Sequence, residues 1–157
     1  MKSLTLLAIV MFFVAFGAIY FYNVSQTTPF EFKPIYAFVP GDVLSAFNAF
    51  FFVFIVSLLL FGVGGLVAMT LEGLKFGSLL FFTLAGNVTG FHFFDLLFVI
   101  PEVMACIAAT TLGAGLILDY RGKSSLFPYW NYAIRYFIFG LLLTVVLLGL
   151  RPFLVGL

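Results

Sequence analysis

The chain has 157 residues, of which 64% are hydrophobic and only 8% are charged, and its mean hydropathy is +1.26. A soluble domain carries about 25% charged residues, so seven basic and six acidic side chains cannot cover a globule of this size. The net charge of +1 excludes a basic surface for nucleic acid. Composition therefore predicts an all-α, polytopic transmembrane bundle, one integral membrane domain over residues 1–157 with the lipid bilayer as its main surroundings.

The first two apolar runs predict two membrane helices. The run over 4–22 has no charge and is long enough to cross a ~30 Å hydrocarbon core, and it is too long for a cleaved signal peptide. The run over 44–71 is longer than one straight crossing requires. Its Gly62-Val63-Gly64-Gly65 stretch predicts either a bend or a close approach of a neighbouring helix.

The middle of the chain is interrupted twice, by glycines at 86–90 and by Pro101. These interruptions predict a short helix over 74–86, a re-entrant half-helix over 91–100 and a full helix over 102–118. Glu72 and Lys75 are expected at a membrane interface. A last helix over 129–150 begins with interfacial aromatic residues. The sequence thus predicts about five helices, including a short or re-entrant broken segment.

The distribution of basic residues predicts the orientation. Excess Lys and Arg favours the cytoplasmic side of a membrane, and five of the seven lie on the N-terminal side in this arrangement: Lys2, Lys75, Arg121, Lys123 and Arg135. We therefore expect a multi-pass protein of the cell (plasma) membrane with a cytoplasmic N-terminus.

Three ionisable residues form the candidate polar site: His92, Asp95 and Glu102. Ionisable groups inside a membrane are costly and usually functional, and residues three apart share a helix face, so a carboxylate–imidazole pair could relay a proton or hold a cation. The alternative is structural. Pro101-Glu102 is typical of a helix start, where proline is favoured and a carboxylate faces the positive helix end, and His92 and Asp95 could be hydrated at the interface.

Arg135 has two interpretations. It could form an ion pair across helices with Glu72, or its side chain could extend to the interface beside Tyr132 and Tyr136. Cys106, the single cysteine, is expected to be a small buried hydrophobe.

Glycine spacing predicts close helix packing, since small residues let helix backbones approach. Internal packing and contact between copies, as in a homo-oligomer (dimer), both remain open, and so does packing against other membrane proteins. The residues concerned are Gly62, Gly65, Gly73, Gly77 and Gly113.

Catalytic patterns are missing from the sequence: it contains no H-E-x-x-H, no G-x-S-x-G, no P-loop and no second histidine. We therefore expect no enzyme activity, no cofactor and no metal centre.

The middle of the chain resembles the stage II sporulation protein M family over roughly residues 45–118. The resemblance is carried by Asn48 with the apolar helix over 51–65, by Leu71-Glu72-Gly73-Leu74-Lys75-Phe76-Gly77, and by Pro101-Glu102-Val103-Met104-Ala105-Cys106-Ile107-Ala108-Ala109 with Gly113. Where that family has Pro-His before its glutamate, this chain has Leu97-Phe98. The resemblance implies a polytopic, non-enzymatic membrane protein; bacterial members act in a complex with cell-wall hydrolases during spore engulfment, and others resemble small permease-like proteins.

Two functions follow as hypotheses. The first is a membrane scaffold or complex subunit that holds partners through its helix faces. The second is a small oligomeric transporter or channel with a polar site at the broken segment 86–102, because broken helices at mid-membrane often mark transport sites.

Overall fold

The computed structural model describes residues 2–32, 43–85 and 90–154, with side chains over 4–32, 44–59, 61–85 and 96–153. In these ranges the fold is all-helical, as the sequence predicts. Its five α-helices are α1 (Lys2–Ser25), α2 (Val43–Leu58), α3 (Gly64–Leu84), α4 (Gly90–Tyr120) and α5 (Phe127–Leu154), and a 3-10 turn over Leu59–Gly62 separates α2 from α3. All but α2 are long and apolar enough to cross a membrane, as expected of a multi-pass membrane protein.

The predicted bend near Gly62 is confirmed, and it divides the helix that we expected over 44–71. The 3-10 turn ends with two residues in the left-handed region, Phe61 at φ 56° and Gly62 at φ 89°. Glycine adopts this conformation without steric penalty, whereas a bulky residue seldom does. The chain therefore reverses here, and α3 starts a new membrane crossing at Gly64.

The predicted division of the next segment is wrong. The expected short helix over 74–86 is the second half of α3, and the half-helix over 91–100 and the helix over 102–118 are parts of one helix, α4, with Pro101 inside it. Proline removes one backbone donor, but membrane helices tolerate it where neighbouring helices surround it. Pro101 is buried, and its carbonyl group faces Gly140 on α5.

The directions of the helices follow from their closest contacts. Gly73 and Gly77 on α3 face Phe12 and Phe16 on α1, so α1 and α3 run parallel. Antiparallel contacts join α4 to α3 and α5 to α4; for example, Gly115 faces Tyr129. The helices α1, α3 and α5 therefore start at one end of the bundle, which we call the N-terminal end, and finish at the other, the C-terminal end.

The central helix of the bundle is α4. It contacts α2, α3 and α5, whereas α1 packs mainly on α3, and α3 and α5 do not touch within the described residues. In the most apolar stretch of α4, 61% of the residues are buried inside the protein, whereas in that of α1 only 17% are. The main core lies between α2, α3 and α4, and it includes Phe50, Val53, Ala68, Met69, Ala105 and Cys106.

Candidate functional site

Lys75 lies close to the middle of α3, a helix long and apolar enough to cross a membrane. It is nine residues from the end of α3 and eleven from its start (84 − 75 and 75 − 64). At 1.5 Å per residue, the two distances are about 14 and 17 Å, which is about half of a ~30 Å hydrocarbon core on each side. Its side chain is also buried, with only 3% exposure, so the cation faces other parts of the protein and not the lipid.

Two carboxylates meet the Lys75 ammonium there. Its Nζ atom donates a hydrogen bond to Oε2 of Glu102 on α4 and lies 3.8 Å from Oε2 of Glu72, one turn away on α3. Both glutamates are buried, Glu72 fully and Glu102 with 1% exposure. We call these three residues the charged centre.

The charged centre can form because small residues line the surfaces of α3 and α4 that face each other. Ala105, Ala108 and Ala109 on α4 are fully buried, and Gly65 on α3 lies directly against the Thr110 side chain. Small residues let backbones approach closely, which brings side chains from α3 and α4 within hydrogen-bonding reach at mid-membrane.

Other polar side chains are buried on both sides of the charged centre. Ser78 lies one turn from Lys75 toward the C-terminal end. Toward the N-terminal end, the thiol of Cys106 is fully buried close to the Ser57 hydroxyl, and Thr110 follows one turn further on. Buried polar groups thus lie on both sides of the charged centre: Ser78, bonded to the 26–32 segment, toward one end, and Ser57 on α2 with Thr110 on α4 toward the other. Cys106 is buried as predicted.

The segment 26–32 folds back over the C-terminal end of this interface. The side chain of Asn23 both accepts from the Phe30 amide (2.9 Å) and donates to the Phe30 carbonyl (3.0 Å). The Phe32 amide donates to Ser78 Oγ at 2.9 Å. Because Asn23 and Ser78 are fully buried, they hold this segment over α1 and α3, one turn above Lys75.

We expect replacing Asn23 with alanine to release the 26–32 segment. The change removes two hydrogen bonds: the Phe30 amide loses its acceptor, and the Phe30 carbonyl keeps the longer bond from Ser78 Oγ at 3.4 Å. The loss for such groups is about 1–3 kcal/mol. Hydrogen–deuterium exchange at the Phe30 and Phe32 amides should therefore quicken about tenfold or more. Ser25→Ala is the control, since that exposed hydroxyl bonds only to the Tyr22 carbonyl. Equal exchange in both variants would contradict the role of Asn23.

The structure corrects the predicted surroundings of the acidic residues. Glu72 and Lys75 lie in the middle of α3 and not near a helix end, because the reversal at Gly62 makes residue 64 the start of that helix. Glu102 does not open a helix, because it lies inside α4 and binds Lys75. Lys75 is not among the site residues predicted from the sequence. Its signal was the Glu72-x-x-Lys75 spacing, two opposite charges on one helix face.

The predicted ion pair between Glu72 and Arg135 does not form, because α4 separates α3 from α5. Arg135 is exposed on α5 and lines an open groove of about 310 Å³ with Met104, Tyr132, Tyr136 and Phe139. Tyr132 and Tyr136 are the neighbours expected if the Arg135 side chain extends to the membrane interface.

Of the predicted polar site, Glu102 is in the charged centre. The side chains of His92 and Asp95 lie outside the described residues. The predicted packing glycines, Gly62, Gly65, Gly73, Gly77 and Gly113, each lie against another segment of the same chain. For example, a methyl group on Gly62 would lie 2.7 Å from the Thr110 carbonyl oxygen, and one on Gly77 would lie 2.5 Å from that of Phe16. These contacts are internal packing.

In comparisons with known proteins, no family model matches the chain, and neither a curated protein nor a solved structure matches it.

Proposed function

We propose that this protein is a small ion transporter or channel, or a subunit of one, whose ion-responsive part is the charged centre of Glu72, Lys75 and Glu102. The observation that carries the proposal is the burial of three ionisable side chains at mid-membrane between two packed helices. Translocon-based scales give about 2.5–3.5 kcal/mol for one such charge at a helix centre, and ionisable groups at this depth mark ion pathways and proton relays.

The polar surroundings of the charged centre favour this function over a purely structural ion pair. An ion pair that only joined two helices would need no polar neighbours along the membrane normal. Here Ser78 follows toward one end, and Ser57 and Thr110 follow toward the other. Hydroxyl groups can accept and donate in turn, so they can pass an ion or proton along a helix interface.

Flux measurements on the purified protein in proteoliposomes test the proposal. We expect ion flux at least tenfold above that of empty liposomes, and we expect Glu102→Gln to abolish it, since the amide keeps the shape of the side chain and removes its charge. Asp119→Asn is the matched control, because Asp119 is an exposed carboxylate at the end of α4. Flux that survives in Glu102→Gln, or no flux under any ion gradient from folded wild-type protein, would refute the proposal.

The second candidate is a membrane scaffold or complex subunit that resembles the stage II sporulation protein M family. An apolar groove of about 230 Å³ favours it; the groove is lined by Phe54, Leu112, Trp130, Ala133, Ile134 and Phe137 and has room for an apolar side chain from a helix of a partner or of a second copy. A photo-crosslinking residue at Ile134 should then give one discrete adduct in native membranes. The same residue at Val146, exposed on α5 away from the groove, should give none.

We also propose a plasma-membrane location with the N-terminal end of the bundle in the cytoplasm. That end carries Lys2, Arg121 and Lys123, and positive residues favour the cytoplasmic side. Arg151 lies at the C-terminal end, in the last turn of α5. Lys75 no longer contributes to this balance, since it lies between the two ends. Labelling an engineered cysteine at position 123 from either side of the membrane tests the orientation.

A further inference from the structure

We infer that the ion bound by the charged centre is the proton, and that its binding to Glu102 transfers the Lys75 ammonium from Glu102 on α4 to Glu72 on α3. This inference rests on the proposed function for its role in transport. The geometry provides two positions for one cation: Lys75 hydrogen-bonds to Glu102 on the neighbouring helix and lies 3.8 Å from Glu72 on its own.

One oxygen of the charged centre points to a ligand. Glu102 binds Lys75 through Oε2, whereas Oε1 of the same carboxylate is buried and has no hydrogen-bond partner among the residues whose side chains the structure describes. A buried acceptor without a donor is unfavourable, more so when it carries charge. A proton on this oxygen neutralises the carboxylate and so removes the cost of burying its charge, and it needs almost no further space.

The ligand set favours a proton over a metal cation. Mg²⁺ or Ca²⁺ requires about six or more oxygen ligands, whereas the centre offers two carboxylates that already share an ammonium. A metal ion at Glu102 would lie beside the positive charge of Lys75 and be repelled by it. A proton on Oε1 instead removes the charge that holds Lys75 on α4.

The charged groups around Glu102 come from few helices. Lys75 and Glu72 face it from α3. In α1 and α2, no charged residue follows Lys2. On α5 the charged residues are Arg135 and Arg151, and Arg135 is exposed. The 26–32 segment over Ser78 carries the half-buried Glu31. On α4 itself, Asp119 is exposed, the side chain of Asp95 lies outside the described residues, and Cys106 lies one turn away. Protonation of Glu102 therefore acts mainly on the position of Lys75.

The proposed step is a reversible proton transfer without any oxidation. A proton binds Oε1 of Glu102, the carboxylate becomes a neutral acid, and its ion pair with Lys75 becomes a weaker hydrogen bond. The ammonium then pairs with Glu72 within α3. The link between α3 and α4 is lost at mid-membrane, so proton binding biases two arrangements of the helix pair. Release of the proton restores the link.

Infrared difference spectroscopy of the protein in lipid nanodiscs, titrated from alkaline to acidic pH, tests proton binding directly. We expect a carboxylic-acid carbonyl band that is present in wild type and in Asp119→Asn but absent in Glu102→Gln. A second measurement needs no change in the charged centre: spin labels at the exposed positions Leu84 on α3 and Ile100 on α4 should change their separation over the same pH range. Absence of the band at every pH, or an unchanged separation while the band appears, would overturn the inference.

Flux separates this inference from the proposed function. Liposomes with an internal pH dye report proton flux, and sodium- and potassium-sensitive dyes report the alternatives. Proton flux that is lost at least tenfold in Glu102→Gln supports both. A band and a pH-dependent separation without any flux support the proton site and refute transport. Sodium or potassium flux without proton flux supports transport and overturns the inference that the ion is a proton.

Discussion

Replacing Lys75 with methionine should lower the free energy of unfolding by about 3–5 kcal/mol, because removal of one partner leaves a buried charge uncompensated. Glu102 would lose the ammonium that its Oε2 now accepts from, and a buried carboxyl group without that counter-ion is unfavourable whether it stays charged or takes up a proton. Methionine keeps the length and most of the volume of the side chain, so the loss would come from the charge.

The measurement is detergent-induced unfolding in mixed micelles, followed by the fluorescence of Trp130, the single tryptophan. Lys123→Met is the control, since Lys123 is exposed in the connection between α4 and α5, and such surface changes usually stay within about 0.5 kcal/mol. The double variant Lys75→Met/Glu102→Gln should recover part of the loss, with an interaction free energy of about 1–3 kcal/mol. If Lys75→Met and Lys123→Met unfold at the same detergent concentration, the ion pair contributes nothing to stability.

Replacing Gly73 with alanine should separate α1 from α3. A methyl group at Gly73 would lie 3.0 Å from the backbone carbonyl carbon of Phe12 and closer still to its oxygen. Backbone cannot rotate away as a side chain can, so α1 must move as a whole. Overpacking of this kind typically lowers stability by about 1–3 kcal/mol.

Gly17 provides a matched control for this change on the other helix of the same pair. A methyl group at Gly17 would meet no atom of the described residues within 4 Å, so Gly17→Ala should leave stability unchanged or raise it slightly, as alanine favours helix over glycine by about 0.5–1 kcal/mol. The two variants are compared by the same unfolding measurement. Equal stability would show that the contact between α1 and α3 tolerates an added methyl group.

The helices could be predicted from the sequence because hydropathy and length are local properties. The run over 4–22 lies within α1, and the glycines near 62 mark the reversal before α3. The helix break predicted at Pro101 is wrong for a reason that is not local. In a soluble protein a proline usually ends or kinks a helix, but the helices packed around Pro101 keep α4 continuous.

The charged centre could be predicted only in part, because it depends on which helices become neighbours. The position of Glu102 deep in an apolar stretch predicts it as a site residue. Its partner Lys75 lies 27 residues earlier, and helix order decides that α3 meets α4 there. The same order places α4 between Glu72 and Arg135, so the predicted pair between them could not form. Periodicity says which residues share a face and does not say which face another helix covers.

The close spacing of Glu72 and Lys75 has a consequence for biosynthesis. During synthesis α3 reaches the membrane before α4, so its two charges must enter without Glu102. Because the two groups lie 3.8 Å apart on the same helix face, α3 can partition into lipid with its own counter-ion and a much reduced net charge. Glu102 arrives 27 residues later as an unmatched acid, and Lys75 is already in the bilayer to receive it. The insertion of α4 is thus assisted by the helix that precedes it.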